Sequence, residues 1–235
     1  MITLGSAQSI ARLNAFLGAT FSYNAEYPYQ AQTDPYDGVL IDANREAKSL
    51  LYDSHKFLFL LLFHLKRITG NAQRLVHIDR HWDSARTELS IKRWDEGIYN
   101  VDQCADFVDV FLHEGNFLIA ACHARLVEEL VFVVPEKNSE VVRRNLMAFK
   151  QAGASAVSHF ASLDEIVGLK HTDYILDLDM DFFFATDGLQ LFDDSKLVAL
   201  FRKSWAGIGI ALSPKHCGGI GAPLSMYERC VQLSV

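Results

Sequence analysis

The sequence predicts an α/β fold in three layers, helix–sheet–helix, with a mainly parallel sheet. Three observations predict it. Short apolar runs recur along the chain, each closed by polar or turn residues. Helical stretches separate these runs. The residues best suited to chemistry stand where the runs end. Strands that read as continuous apolar runs are those covered on both faces, and strands alternating with helices build parallel sheets. Ligands of such sheets bind beyond the carboxyl ends of the strands.

The elements follow in order. Residues 1–45 are the least regular part of what reads as a single domain over 1–235. Tyr23, Tyr27, Tyr29 and Tyr36 stand there among Pro28, Pro35 and Gly38, a composition of turns and short extended pieces. This segment either packs its tyrosines on the core or serves as a substrate-binding arm, with Tyr27 and Tyr29 lining a peptide groove. Residues 46–68 read as helical, with a break at 53–55. Residues 74–79 (RLVHID) form an apolar strand ending in polar residues. Helical stretches lie within 106–126, and 130–134 (LVFVV) is a strand stopped by Pro135. A helix over 139–152 ends at Gly153, and a short strand follows at 156–160. Residues 174–178 (YILDL) form a strand ending in acids, 195–205 a helix, and 208–212 a strand stopped by Ser213-Pro214. Gly218, Gly219 and Gly221 then suggest a mobile loop at the active edge of the sheet.

The charge balance is 22 Lys+Arg against 29 Asp+Glu, a net −7. A general nucleic-acid binder needs clustered basic residues, so no nucleic-acid partner is expected, and a cationic substrate is mildly favoured. Cys104, Cys122, Cys217 and Cys230 are widely spaced with no CxxC pair, which fits free thiols in a reducing cytosol. The N-terminus lacks the basic-then-apolar build of a signal peptide. The most apolar run, 57–65, is too short to span a bilayer. A cytoplasmic protein with no membrane partner is the expectation.

Two segments concentrate chemistry. His77-Ile-Asp79-Arg-His81-Trp-Asp83 places a possible ligand at every second position, and Asp177-Leu-Asp179-Met-Asp181 places three carboxylates at the same spacing. On an extended chain, residues two apart share a face. Buried like charges raise one another's pKa and destabilise the fold unless a cation neutralises them. Carboxylates mixed with imidazoles suit Mn²⁺, Fe²⁺ or Zn²⁺ better than Ca²⁺. This many acids could hold two ions, which together activate a water. His77, inside its strand, is either a ligand or a core histidine behind the ligands.

Asp79-Arg-His81-Trp-Asp83 resembles the D-A-H-x-D motif of the arginase and agmatinase ureohydrolases, and Leu176-Asp177-Leu-Asp179-Met-Asp181 resembles their S-F-D-x-D strand. Their upstream G-G-D-H element is matched by Tyr52-Asp53-Ser-His55. The resemblance covers roughly residues 50–215. A branch containing peptide arginases is more similar still, through Asp53-Ser-His55, His77 to Asp83, Gly115-Asn116-Phe117, Asp177 to Phe183 and Ser213-Pro214. Those enzymes convert arginine side chains of a ribosomal precursor peptide to ornithine and release urea.

The resemblance implies an arginase/deacetylase-like fold and two Mn²⁺ ions held by His55, Asp79, His81, Asp83, Asp179 and Asp181. Asp79 would bridge the ions, with Asp179 as second bridge. Matching Asp177 to the Ser of S-F-D makes Asp179 and Asp181 the ligands; the other register makes them Asp177 and Asp179. Asp83 would also orient the nucleophile. His113 is the first candidate for proton shuttle, against a reading in which it packs or caps a helix end, and His216 is the second. Two positions depart from arginases. Ala85 stands where an Asn grips the α-carboxylate of free arginine, which fits an arginine-containing precursor peptide and equally agmatine. Ala211 stands where a Glu holds the guanidinium, leaving Glu114 or Asp177 to pair the cation. The rival functions are a small-molecule guanidine or amidine hydrolase, an amide deacetylase, and a non-catalytic metal-binding protein.

Overall fold

A computed structural model describes residues 40–44, 49–52, 54–85, 88–95, 97, 101–167, 173–219 and 221–234. The expectations for Tyr23, Tyr27, Tyr29, Tyr36 and Asp53 lie outside these residues. Among the described residues, seven strands run in chain order: β1 (Leu40–Asn44), β2 (Ser49–Tyr52), β3 (Gln73–Ile78), β4 (Val127–Val133), β5 (Ala156–Phe160), β6 (Tyr174–Asp179) and β7 (Gly207–Ala211). They form one sheet in the order β1-β2-β7-β6-β3-β4-β5. β2 through β5 in that order are parallel, and β1 pairs antiparallel with β2.

Helices cover both faces. α1 (Leu58–Thr69), α3 (Val101–Phe111), α4 (Phe117–His123) and α5 (Ser139–Gln151) lie on one side, where Phe59, Phe107, Phe117 and Phe149 join Leu75, Leu130 and Ile175 of the sheet. α6 (Leu163–Val167), α7 (Asp194–Phe201) and α8 (Gly221–Ser234) lie on the other, where Ile166, Leu197 and Met226 join Val76, Val131 and Leu176. Alternate residues of each strand thus enter opposite cores, as the pleat requires. The expected three-layer α/β fold with a mainly parallel sheet is present. The remaining helix, α2 (Glu88–Asp95), follows the first polar motif.

Local chemistry explains where several elements start and stop. α1 buries every residue from Leu58 to Leu65, is half-buried at Lys66 and exposed from Arg67, and ends where Gly70 adopts a left-handed φ of 76°. α5 begins where the Asn138 side chain accepts from the amides of Glu140 and Val141. The helix expected over 46–68 is corrected in its first part: Ser49–Tyr52 is a strand, in register with β7 from Ser49 opposite Ile208 to Tyr52 opposite Ala211. Parallel pairing and burial on both faces outweigh the helical propensity of the leucines there. The glycine-rich stretch after Pro214 is a turn in which Gly218 packs on the Gly188 backbone, and Gly221 opens α8.

Gly209 shows how tightly the first face is built. A Cβ there would lie 2.6 Å from the Tyr52 hydroxyl and 2.7 Å from Leu58 Cδ1. Gly209→Ala is therefore expected to destabilise the protein by about 1–3 kcal/mol through overpacking. A denaturant melt with unchanged midpoint would refute this packing.

Candidate metal centre

The centre grows from one face of the sheet. Along β3 that face carries Leu75 and then His77, and along β6 it carries Ile175 and then Asp177. His77 and Asp177 are register partners, flanked by Phe132 of β4 and Gly209 of β7. A polar row therefore lies between apolar neighbours, one step below the strand ends. Asp79 and Asp179 stand above it.

Beyond the strands the chain turns, and this corrects the extended geometry expected from the spacing of two. Asp79 Oδ1 accepts from the His81 amide at 2.7 Å, and Asp179 Oδ1 accepts from the Asp181 amide at 2.9 Å. Each aspartate caps the turn it precedes, an Asx arrangement that folds the second residue back beside the first. Asp83 completes its return with a left-handed φ of 47°, a region that Asp tolerates better than most residues. The two turns are tied together by the Arg80 guanidinium, which donates to the Phe184 carbonyl. Ser84 Oγ donates to Asn145 Oδ1 at 2.7 Å and anchors the first turn to α5.

His55 enters from the single 3₁₀ turn between β2 and α1. Its Nδ1 lies 3.2 Å from Asp79 Oδ2, 3.4 Å from Asp83 Oδ2 and 3.3 Å from Asp179 Oδ2. On the other side, His81 Nδ1 lies 3.3 Å from Asp79 Oδ1 and 3.1 Å from Asp181 Oδ2. The six residues His55, Asp79, His81, Asp83, Asp179 and Asp181 thus converge in two adjoining groups that share Asp79. The His81 side chain is 51% exposed and the other five are nearly buried, so the pair of groups opens to solvent beside His81.

His55 Nδ1, His77 Nε2, Asp83 Oδ2 and both carboxylate oxygens of Asp181 are buried without a hydrogen bond. Buried polar atoms are ordinarily satisfied, and leaving them otherwise is costly. A divalent cation accepts lone pairs from imidazole and carboxylate alike, so this donor set fits one. Without a cation, protons carry the balance. Burial, then the charges of Asp181 and Asp79, raise the Asp179 pKa to about 7. Burial and the Asp79 charge push Asp83 well up despite His55. The neighbouring carboxylates of Asp181 and Asp79 raise His81 to about 11 against its partial burial. For Asp79, burial is outweighed by His55 and His81, which hold it well below the usual carboxylate range.

The remaining sequence candidates divide clearly. Asp177 is corrected as a partner for a substrate cation: it is buried, and its two oxygens are each 2.6 Å from a ring nitrogen, His55 Nε2 and His77 Nδ1. His113 sits in an exposed turn with Nδ1 accepting from the Gly115 amide at 3.1 Å. Among the described residues, no hydrogen bond or ion pair links it to the carboxylates. His216 is at the centre's open side, its ring 5.5 Å from that of His81 and its Nε2 3.9 Å from Glu114 Oε2. Glu114 is 33% exposed there. Ala211 is fully buried at the end of β7, and Ala85 is held by its amide to the Gly115 carbonyl.

Sequence reasoning passed over Ser213, whose left-handed backbone aims Oγ at Asp179 Oδ2, 2.7 Å away. The Ser-Pro step was read as a strand stop and as one element of the family resemblance, not as a partner for Asp179. It also passed over Tyr52, buried above Gly209 with its hydroxyl unpaired. The spacing of a single strand could not have pointed to a residue five strands distant in chain order.

No family model matches the chain, and no curated protein sequence matches it. Solved structures do. Proclavaminate amidino hydrolase from Streptomyces clavuligerus matches with 14% identity and a TM-score of 0.47, over 79% of this chain and 62% of that one. Formimidoylglutamase from Bacillus subtilis matches with 12% identity and a TM-score of 0.48, over 78% and 59%. Arginase from Medicago truncatula matches with 15% identity and a TM-score of 0.46, over 78% and 57%. The chain spans about three fifths of the length of each of these structures.

Proposed function

We propose that this protein hydrolyses the guanidinium group of a peptide-bound arginine, giving ornithine and urea, with two divalent cations of the Mn²⁺ class. One observation carries the reading: two groups of ligand atoms, His55 with Asp83 and Asp179 and His81 with Asp181, share the two oxygens of Asp79. Cations bound there would lower the pKa of a shared water and so supply a nucleophile near neutral pH.

The chain's own residues account for the rest of the reaction. Asp83 orients the water, and Ser213 and the Asp181 amide fix the Asp179 carboxylate by donating to its two oxygens. Glu114, on the open side, pairs with the guanidinium. Contact with Glu114 raises the His216 pKa against partial burial and so favours its protonated form, the form that can donate to a leaving group. Water oxygen bonds to the guanidinium carbon as Asp83 takes one of its protons, the bond from that carbon to Nε breaks, and His216 gives its proton to the leaving nitrogen; the two protons of the water end on His216 and on the amine, so that urea leaves neutral and the ornithine side chain as an ammonium ion. His216 thus takes the shuttle role for which His113 was the first candidate. Ala85 leaves room for a backbone amide where free arginine would carry a carboxylate.

The test is urea release by Mn²⁺-loaded protein from free arginine, agmatine and an arginine-containing peptide, with mass spectrometry of the peptide. Loss of CH₂N₂ per arginine together with urea supports the proposal. Urea from small substrates alone replaces it with the agmatinase-like reading. Ala211, which leaves the end of β7 without a carboxylate, favours an amide as the second substrate class, so acetylated amines belong in the same panel. Glu114→Gln is expected to raise the peptide KM about ten- to hundredfold, the loss of one charge-assisted hydrogen bond, with metal content nearly unchanged and with kcat lowered toward higher pH, because His216 loses the carboxylate that favours its protonated form. An unaltered KM would remove Glu114 from cation recognition.

A further inference from the structure

We propose that His77 is a third imidazole ligand of this centre, fixed in place by Asp177, in addition to the six ligands already described. The inference rests on the metal-centre reading and not on hydrolysis. Its basis is the way one buried carboxylate serves two rings. Asp177 Oδ1 is 2.6 Å from His55 Nε2, and Oδ2 is 2.6 Å from His77 Nδ1. An ionised carboxylate only accepts hydrogen bonds, so each ring donates through the nitrogen that faces it. The opposite nitrogen of each neutral ring then presents a lone pair.

Both lone pairs point to the same place. His55 Nδ1 and His77 Nε2 are buried and make no hydrogen bond. Asp79 Oδ2 lies 3.2 Å from the first and 3.6 Å from the second. The rings stack at 5.2 Å with 21° between their planes, which keeps their free nitrogens side by side. Lone pairs of two imidazoles facing a carboxylate oxygen repel unless a cation stands among them. Ligand bonds of about 2.0–2.2 Å put neighbouring donor atoms on one ion about 3.0–3.6 Å apart, which is the spacing present. His55, His77 and Asp79 also form a cluster with one donor atom each within 4.8 Å of the others. A histidine serving only to brace Asp177 would have no need to aim its second nitrogen at Asp79.

The same arrangement explains an otherwise expensive feature. An isolated aspartate in the middle of a buried strand, flanked by Leu176 and Leu178, is costly. Here it orients two ligands and sets their tautomers, the usual role of a carboxylate behind a metal-bound histidine. The deeper of the two groups then offers two imidazoles. A nitrogen-richer site shifts preference from Mn²⁺ toward Co²⁺, Fe²⁺ or Zn²⁺.

The experiment loads the full chain with Co²⁺ or Mn²⁺ alone and counts bound imidazoles by X-ray absorption and by nitrogen hyperfine couplings. Three imidazoles over the two ions are expected in the wild type, and two in His77→Ala. Affinity for one of the two ions is expected to fall at least about tenfold in the variant, more for Co²⁺ than for Mn²⁺. Two imidazoles in the wild type overturn the assignment, whether or not the variant folds. Wild-type affinity for both ions in His77→Ala overturns it as well. A wild type that binds no divalent cation removes the metal centre altogether, and this ligand with it. Three imidazoles without urea release from any substrate sustain His77 and remove only the hydrolase.

Discussion

Asp79→Ala is expected to abolish urea release and to leave fewer than one tightly bound cation per chain. Among the described residues, no other side chain reaches both ligand groups in this way. Oδ2 stands 3.2 Å from His55 Nδ1, and Oδ1 stands 3.3 Å from His81 Nδ1. Oδ1 also accepts from the His81 amide, so truncation removes a ligand from each group and the cap that turns His81 inward. Asp177→Ala is the informative control. It supplies no atom to either ligand group but holds the far ring nitrogens of His55 and His77, so metal affinity should drop about 10–100-fold while saturating cation restores much of the activity. Metal analysis after gel filtration and the urea assay read both variants. Two retained cations in Asp79→Ala would sink the shared-ligand geometry.

Asp83→Asn is expected to reverse its effect on stability according to whether cations are present. Burial and the charges of Asp79 and Asp179 push the Asp83 pKa up, so its ionised form is destabilising in the cation-free protein. The amide removes that repulsion, and cation-free Asp83→Asn should melt higher than cation-free wild type at any pH high enough to ionise Asp83 in the folded protein. A gain of about 1 kcal/mol corresponds to about 2–4 °C at this length. With cations the order inverts, because the variant lacks a charged ligand. A variant that melts higher in both states would argue against a metal centre.

The same protons make the cation-free protein pH-sensitive. Asp179 is raised to about 7, Asp83 and His55 are raised, and His81 is raised to about 11. Each binds its proton more tightly folded than unfolded. Their contribution is therefore complete at low pH and is lost as pH rises, through about 4–7 for Asp179 and from about 6.5 upward for the histidines. Chelated protein should lose thermal stability between about pH 6 and about pH 8.5, and added cation should raise the melting temperature more at the higher pH. A chelated protein more stable at the higher pH would contradict these shifts.

The strands that carry the centre were legible because apolar runs ending in acids are local signals. β5 occupies 156–160 as expected, and β6 and β7 lie within a residue or two of their expected ends. Asp79, His81 and Asp83, and Asp179 with Asp181, were legible as candidates for the same reason, since acids and histidines at alternate positions need no tertiary context to be noticed, whereas His55 was a candidate only through the family resemblance. β2 was not legible. SLLY carries no mark that separates a buried helix turn from a strand laid beside β7, and the choice is made by a partner more than 150 residues away.

What the sequence by itself determined is the α/β class, the order of the sheet's apolar runs and the chemical types gathered at their ends, because these depend on spacing within short segments. Tertiary structure alone decided which of those residues face one another. It placed Asp177 behind His55 and His77 rather than toward substrate, left His113 in its own turn, and brought His216 and Glu114 to the open side beside His81. The physical reason is that a carboxylate's role is set by which donors the pleat and the turns bring within hydrogen-bond reach. In this protein those donors come from strands and loops that meet only when the sheet is assembled.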